Sequence, residues 1–311
     1  MKTNISLILI LCLLLGACKN GNASSQNKSE TSQDTIKAIK MPAIPQMMTA
    51  PEQRADFLAK HYWDNVNFAD TNYIHHPEVT EQAWADYCDL LNHVPLETAQ
   101  QAMRNVIDRT NVDKKVFTYI TDLADKYLYD PNSPMRNEEF YIPVLEAMIA
   151  SPVLNETEKI RPQARLKLAQ KNRIGTKALN FTYTLASGAQ GSLYQLKAEY
   201  LLLFINNPGC QACTETIEGL KNAPIINQLL QEKKLVLLSI YPDEELDEWK
   251  KHLSEFPNEW INEYDKKFTI KEEQVYDLKA IPTLYLLDKD KTVLLKDATA
   301  PAIEAYLMQH Q

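Results

Sequence analysis

Glycine is the scarcest structural resource of this chain, with 7 in 311 residues and none between Asn22 and Ile174. Tight turns and phosphate-cradling loops need glycine, so that long stretch is not expected to contain either. Positive charge is also in deficit. Lys and Arg number 33 against 41 Asp and Glu, for a net charge of −8 and a pI near 5.4. A chain this acidic carries no footprint for nucleic acid. No apolar run reaches the roughly 20 residues of a comfortable membrane span. No fixed repeat period is visible, so a solenoid is not supported. What is present is ordinary globular composition, with 45 % hydrophobic and 24 % charged residues, so wholesale disorder is excluded. At roughly 150 residues per domain, there is room for about two domains.

The start reads as an address. Lys2 precedes an apolar run from Leu7 to Leu15, and the run ends Leu15-Gly16-Ala17-Cys18. A positive start, a short apolar core and small residues make a secretory signal. The ending resembles the bacterial lipobox, which implies cleavage after residue 17 and lipidation of Cys18. Residues 1–17 are therefore expected to be a lipoprotein signal peptide. Acyl chains, at about 0.8 kcal/mol per buried CH₂, would anchor the mature chain in a bacterial envelope. Lys19 follows, with no acidic run after it. By resemblance to Gram-negative lipoproteins, this fits the outer membrane facing the periplasm, a compartment that permits disulfides. Residues 18–48 are rich in Ser, Asn, Gln, Thr and Lys without helical or strand period. They read as the lipidated cysteine and a disordered tether.

Residues 49–172 read as an all-α domain of six helices. Leu58, Ala59, Tyr62, Trp63 and Val66 share one face of a 3.6-residue repeat, as do Trp84, Tyr87, Cys88 and Leu91. Leu96, Ala99, Met103, Val106 and Ile107 form a third set, and Val116, Phe117, Ile120, Leu123, Ala124 and Tyr127 a fourth. A fifth helix is predicted around Phe140–Ile149. A sixth is predicted from the N-cap Asn155 to about Lys171, with Pro162 marking a kink or a later start. Cys88 lies on an apolar stripe and reads as core. His75 and His76 have no thiol or acidic partner at ligand spacing, so no metal site is expected. No catalytic pattern is recognisable in this half.

After Gly175 the pattern changes. Phe181-Thr-Tyr-Thr-Leu185 alternates, Ser187-Gly188 and Gly191 signal a turn, and Leu193–Leu196 reads as the returning strand. Tyr200-Leu-Leu-Leu-Phe-Ile205 is a continuous apolar run, expected of a buried central strand. It is followed by Asn206-Asn207-Pro208-Gly209 and then Cys210-Gln211-Ala212-Cys213, with a helix carrying Ile217, Leu220, Ile225, Ile226, Leu229 and Leu230. Leu235–Ile240 is a second buried strand, Glu244–Leu253 a helix, and Thr283–Leu287 and Thr292–Leu295 two more strands. Pro301 opens a terminal helix. The predicted order is ββ, β-α-β-α-β-β-α.

Strand, CxxC, helix is a specific arrangement. A thiol at a helix N-terminus meets backbone N–H groups and the positive dipole end, which favour thiolate. Cys210 is thus the expected nucleophile. Cys213, one turn on, can close a disulfide and release a trapped partner.

Ala280-Ile281-Pro282-Thr283 stands just before a strand. Together with the cysteine pair, it resembles the thioredoxin superfamily, and more closely its membrane-anchored TlpA and ResA branch. The matching segments are Asn172-Arg-Ile-Gly175 leading to Phe181–Leu185, the Cys210–Cys213 motif, and Ile281-Pro-Thr-Leu-Tyr-Leu-Leu-Asp288. The resemblance covers residues 173–311. It implies an α/β thioredoxin-like domain with a central mixed sheet flanked by helices. It implies that Pro282 is cis and lies beside the dithiol, and that Ile281 docks the partner backbone. The helical half resembles an uncharacterised domain that precedes thioredoxin-like modules in envelope lipoproteins.

Departures from the family pattern are visible too. Gly209 replaces an aromatic residue before the first cysteine, Phe204 replaces a buried acid, and Gln211 replaces a glutamate. Without a buried carboxylate, proton transfer at the second thiol lacks its usual aid. Competing readings of the pair are a structural disulfide or an idle relic. Zinc is disfavoured for want of further ligands at the right spacing, copper because His252 is the lone candidate, and peroxidase chemistry because Asn207 stands where threonine is favoured. No cofactor and no nucleotide is expected.

The main expectation is a membrane-anchored thiol–disulfide oxidoreductase acting on envelope protein thiols or disulfides, coupled to an upstream electron donor or acceptor. The alternative is a non-catalytic envelope binding lipoprotein, in which the helical domain recognises a partner and the thioredoxin module is scaffold.

Overall fold

The computed structural model describes residues 38–310. Residues 1–37, which carry the expected leader, Cys18 and most of the expected tether, lie outside the described residues. Residues 38–48, read above as the end of the tether, lie along the helical domain. Ile39 packs on its core, and Asn65 Nδ2 donates to the Lys40 carbonyl at 2.9 Å.

Six helices build the first half: α1 Pro51–His61, α2 Pro77–Leu91, α3 Leu96–Arg109, α4 Lys114–Ala124, α5 Glu138–Ala150 and α6 Glu156–Ala169. The predicted apolar faces point inward. Trp84, Leu91, Met103, Ile107 and Phe117 are fully buried in one core, with Cys88 among them. Burial pushes the Cys88 thiol far up, so it stays protonated. The first apolar set outlasts its helix. α1 stops at His61, yet Tyr62, Trp63 and Val66 remain buried, with Trp63 against Trp84 and Tyr87.

Both internal prolines sit inside continuous helices, so Pro162 does not delay α6. A proline removes the N–H that would bond the carbonyl four residues back. For Pro143 that carbonyl belongs to Glu139, and Gln100 Nε2 of α3 donates to it at 3.0 Å. α6 begins with a capping box in which Asn155 and Glu158 satisfy each other's backbone N–H.

The second half is a seven-stranded mixed sheet. Its elements are β1 Thr182–Thr184, β2 Gln190–Ser192, β3 Tyr200–Ile205, α7 Gln211–Lys221, α8 Pro224–Gln231, β4 Leu235–Tyr241, α9 Leu246–His252, β5 Ile261–Tyr264, α10 Thr269–Glu272, β6 Thr283–Asp288, β7 Val293–Lys296 and α11 Ala300–Gln309. The strand order is β2-β1-β5-β4-β3-β6-β7. β3, β4 and β5 are parallel, and β6 returns antiparallel beside β3 with Ile205 opposite Thr283. Side chains alternate across β3. Leu202 and Phe204 join the core under α7, α8 and α11, while Leu201, Leu203 and Ile205 join the other with Phe181 and Tyr276.

Several expectations need correction. The returning hairpin strand is Gln190–Ser192, while Leu193–Gln195 is a 3₁₀ turn capped by Ser192 and Gln195. The long helix after the dithiol is two helices, because Pro224 has no N–H to continue the first ladder. α9 is shorter at both ends than the predicted Glu244–Leu253. β5 was not foreseen, since Ile-Asn-Glu-Tyr is short and half polar. It is recruited by pairing with β4.

The helical and mixed-sheet halves belong to one compact unit. Asn172, in the left-handed region at φ 50°, ties them together. Its Nδ2 donates to the Val275 carbonyl and its Oδ1 accepts from Leu179 N, both at 2.7 Å. Arg173 pairs with Glu139 of α5, and Lys171 Nζ donates to the Gln274 carbonyl at 2.6 Å.

Candidate functional site

β3 delivers the chain to the sheet's C-terminal edge at Ile205. The turn beyond it is tied down residue by residue. Asn206 N donates to the Ile240 carbonyl at 3.0 Å, and its Nδ2 donates to Ser239 Oγ at 2.7 Å. Gly209 has φ 73°, a conformation that a residue with Cβ adopts only at a cost. This accounts for glycine where the resemblance would place an aromatic residue.

Cys210 is then the N-cap of α7, in extended conformation, and its carbonyl accepts the first helical bond from Thr214 N at 3.0 Å. Cys210 is partly exposed, while Cys213, one turn into α7, is only 2 % exposed. The two thiols thus differ in access. Burial pushes the Cys213 thiol up to about 12, and contact with Cys210 adds to this, against the backbone N–H of Asn207 that donates to Cys213 Sγ at 3.5 Å. The outer thiol can meet a partner, and the inner thiol holds its proton.

The Ile281–Pro282 peptide bond is cis. It lies directly before β6, whose first residue Thr283 pairs with Ile205 of β3. That register brings the loop to the dithiol, and Cys210 Sγ lies 3.8 Å from the Ile281 carbonyl oxygen. The structure therefore brings together four of the residues singled out in the sequence: Cys210, Cys213, Ile281 and Pro282. Cys18 lies outside the described residues. Phe204 is fully buried and edge-on to Trp260, so no carboxylate stands at that position behind the dithiol. His252 is held by Glu248 and Glu255.

Two polar groupings around the site were not foreseen. Asn207 Nδ2 donates to Asp243 Oδ2 at 3.0 Å, and Lys271 Nζ reaches Asp243 Oδ1 at 2.7 Å. Burial pushes Asp243 up, but Lys271 and Asn207 outweigh it and hold the carboxyl below its ordinary value. The Asn207 amide oxygen is buried with no partner among the described residues.

The second grouping lies beneath the cis-proline loop. Lys279 Nζ sits 3.0 Å from Asp297, 3.2 Å from Asp277 and 3.2 Å from Glu138 of α5. Glu138 also pairs with Lys296, and Arg136 donates to the Asp297 carbonyl. Thr283 Oγ1 donates to Asp297 Oδ1 at 2.7 Å. Burial pulls Lys279 down, but its three carboxylates prevail and hold it fully protonated. Burial pushes Asp297 up, but Lys279, Thr283 and Arg136 together hold it below the ordinary carboxylate value. Both flanks of the cis-proline loop are thus fastened to one buried charge cluster, and two of its members, Arg136 and Glu138, come from the helical domain. These residues are spread from 136 to 297 in sequence, and no local spacing signals them.

Similarity to other proteins follows the same division. A family model described as a domain of unknown function (DUF5106) matches residues 17–172, and one described as thioredoxin-like matches residues 198–293. No curated protein matches the chain. Among solved structures, a thioredoxin-like protein from Bacteroides caccae is 83 % identical with a TM-score of 0.87, over 89 % of this chain and 100 % of that one. The C-terminal domain of an uncharacterised protein from Bacteroides fragilis is 69 % identical over 44 % of this chain and 98 % of its own, with a TM-score of 0.44. The thioredoxin domain of a Bacteroides vulgatus thiol-disulfide oxidoreductase is 19 % identical over 44 % of this chain and 97 % of its own, with a TM-score of 0.40.

Proposed function

The chain belongs to the thioredoxin-like family, with a DUF5106 domain ahead of the thioredoxin-like one, and from that premise we propose that it exchanges thiols and disulfides with other proteins through Cys210 and Cys213. The observation that carries this reading is the contrast within the pair, beside a cis-proline loop. One thiol is partly exposed at a helix N-terminus, and the other is buried one turn away with its proton held.

In the reducing direction, Cys210 as thiolate attacks one sulfur of a partner disulfide. A Cys210–partner bond forms, the partner's own S–S bond breaks, and its second sulfur leaves as thiolate and takes a proton. Cys213 then loses its proton and attacks the Cys210 sulfur. This forms the Cys210–Cys213 disulfide and releases the partner's first sulfur, which is protonated in turn. Two electrons pass from the dithiol to the partner, and an electron donor of the thiol class must restore it. Run backwards, the same steps oxidise a partner dithiol. A proton held as firmly as that of Cys213 makes the second step the demanding one. Asp243 is linked through the Asn207 side chain to the turn whose backbone N–H meets that thiol, in a site where Phe204 supplies no carboxylate.

The partners proposed are envelope proteins, reached from a membrane anchor at a lipidated Cys18. Support comes from the leader sequence alone. Fatty-acid labelling of the intact chain that disappears in Cys18→Ala tests the anchor.

The reduction potential tests the chemistry. Equilibration of the protein in defined thiol buffers, with alkylation trapping, is expected to give a reversible two-electron transition between about −120 and −270 mV. A pair that resists reduction below about −300 mV would be a structural bridge and would overturn the reading.

A further inference from the structure

A cleft of about 650 Å³ opens beside the cis-proline loop, and both domains line it. One side is made by Ala212, Glu215 and Thr216 on the outer face of α7, together with Ile281 and Pro282. The other side comes from the helical domain, at Pro131, Asn132 and Arg136. The volume falls in the range of about 300–1,000 Å³ typical of ligand clefts.

The helical side is a built wall. Its turn is closed by Ser133 N on the Asp130 carbonyl at 3.0 Å and by Asn132 N on Asp130 Oδ1 at 2.8 Å. Ser133 Oγ anchors it to the Tyr127 carbonyl at 2.6 Å. Beyond it, Arg136 and Glu138 enter the charge cluster that also holds Lys279 and Thr283 on either side of the cis-proline loop. Wall and loop therefore hold a fixed spacing, while the side chains of Asn132 and Arg136 supply N–H donors at the cleft.

We propose that the 131–136 turn of the helical domain is one wall of the substrate cleft, so that the two domains together grip an extended stretch of polypeptide next to the partner's reacting cysteine. This rests on the reading of Cys210 as the nucleophile. A partner joined at Cys210 leaves the sulfur beside Ile281, where the cleft begins. Extended chain advances about 3.3 Å per residue and presents carbonyls to N–H donors along its edges. A folded surface meets a dithiol flanked by a wall poorly, whereas a loop or an unfolded segment enters. The helical domain then acts as a selector for extended cysteine-bearing segments.

The test uses the full chain carrying Cys213→Ala, so that the first step is read alone. Two probes are compared: a ten-residue peptide with a central cysteine activated as its 2-thiopyridyl disulfide, and free cysteine activated in the same way. Cys210 attacks the cysteine sulfur, a Cys210–S–S–probe bond forms, the probe–pyridyl S–S bond breaks, and 2-thiopyridone leaves and is followed by absorbance. The peptide is expected to react faster than the free amino acid. Asn132→Trp, which fills the cleft from an exposed position, is expected to lower the peptide-to-cysteine rate ratio about tenfold and Asn132→Ala, which removes the amide donor, about threefold, each with the small-probe rate unchanged. A ratio unmoved by either variant would overturn the inference, and so would an equal loss with both probes. If Cys210 reacts no faster than a Cys210→Ser control with either probe, the proposed function falls and the inference falls with it.

Discussion

Replacing Lys279 with methionine removes the cation at the centre of the buried cluster and leaves Glu138, Asp277 and Asp297 facing one another. Its Nζ lies 3.0–3.2 Å from all three, and the side chain is 9 % exposed. Breaking a buried ion pair by deleting one partner costs about 3–5 kcal/mol, because the remaining charge stays desolvated without its counter-charge. Lys296 and Arg136 stay nearby, which holds the loss within that range despite three orphaned carboxylates. At about 2–4 °C per kcal/mol for a chain of this size, the melting temperature should fall by about 6–20 °C at pH 7. The pH dependence gives a second reading. Asp297 has a folded pKa below its unfolded value near 3.9, so the stability it contributes is present above that value and lost as pH falls through the folded one. Lys279→Met removes the largest of the influences that lower Asp297 and leaves Thr283 and Arg136. The deficit should therefore be largest above about pH 5 and shrink as the pH drops below about 4. Adding Asp297→Asn to Lys279→Met should cost less than the sum of the two single changes, with coupling of about 1–3 kcal/mol. The assay is thermal unfolding by circular dichroism at pH 7 and pH 3.5. A fall of under 2 °C at pH 7, or an equal deficit at both pH values, would refute the idea that this cluster holds its charges by mutual pairing.

Three further outcomes follow from single sites. Burial pushes the Glu263 carboxyl up to about 7, against a hydrogen bond from the Ala186 backbone, and its Oε2 has no partner among the described residues. A raised carboxyl contributes fully below its unfolded pKa and loses stability as pH climbs towards 7, so Glu263→Gln should stabilise by about 1–3 kcal/mol at pH 8 and by little at pH 4, measured by urea titration. Iodoacetamide at pH 7.5 should label Cys210 of the reduced protein first, with Cys213 and Cys88 following only on denaturation; mass spectrometry of the peptides reads this directly. Gly209→Ala places a Cβ at φ 73° and should cost about 1–2 kcal/mol of stability in chemical denaturation, with unobstructed space around it ruling out a clash as the cause.

The features that local chemistry dictates were legible in the sequence. Four apolar stripes at helical spacing, an apolar segment at Phe140–Ile149 and the Asn155 cap pointed to six helices; the Tyr200–Ile205 run and the CxxC outlined the second half, and the family resemblance placed Ile281 and Pro282 beside the dithiol. The failures were those in which a neighbour overrides the local pattern. β5 exists because β4 offers it an edge, and its own four residues alternate too briefly to show it. Residues 38–48 read as the end of a tether, yet Ile39 packs on the helical core, which offers it an apolar face.

The largest omission is of another kind. Arg136, Glu138, Lys279, Asp297 and Lys296 look like ordinary surface charges when read along the chain. They become a buried cluster only when α5 is laid against the loop before β6 and the end of β7. A charge is costly to bury alone, so such a cluster ties the two domains more specifically than an apolar contact would, since sliding either surface leaves some member unpaired. The same cluster fixes the spacing between the 131–136 turn and the cis-proline loop. What reads in the sequence as two independent modules, one with chemistry and one without, is therefore joined at the place where a partner chain would enter. If the 131–136 turn is one wall of the substrate cleft, the helical domain needs no reactive residue of its own, because setting the width of the entrance is enough to decide which cysteines reach Cys210.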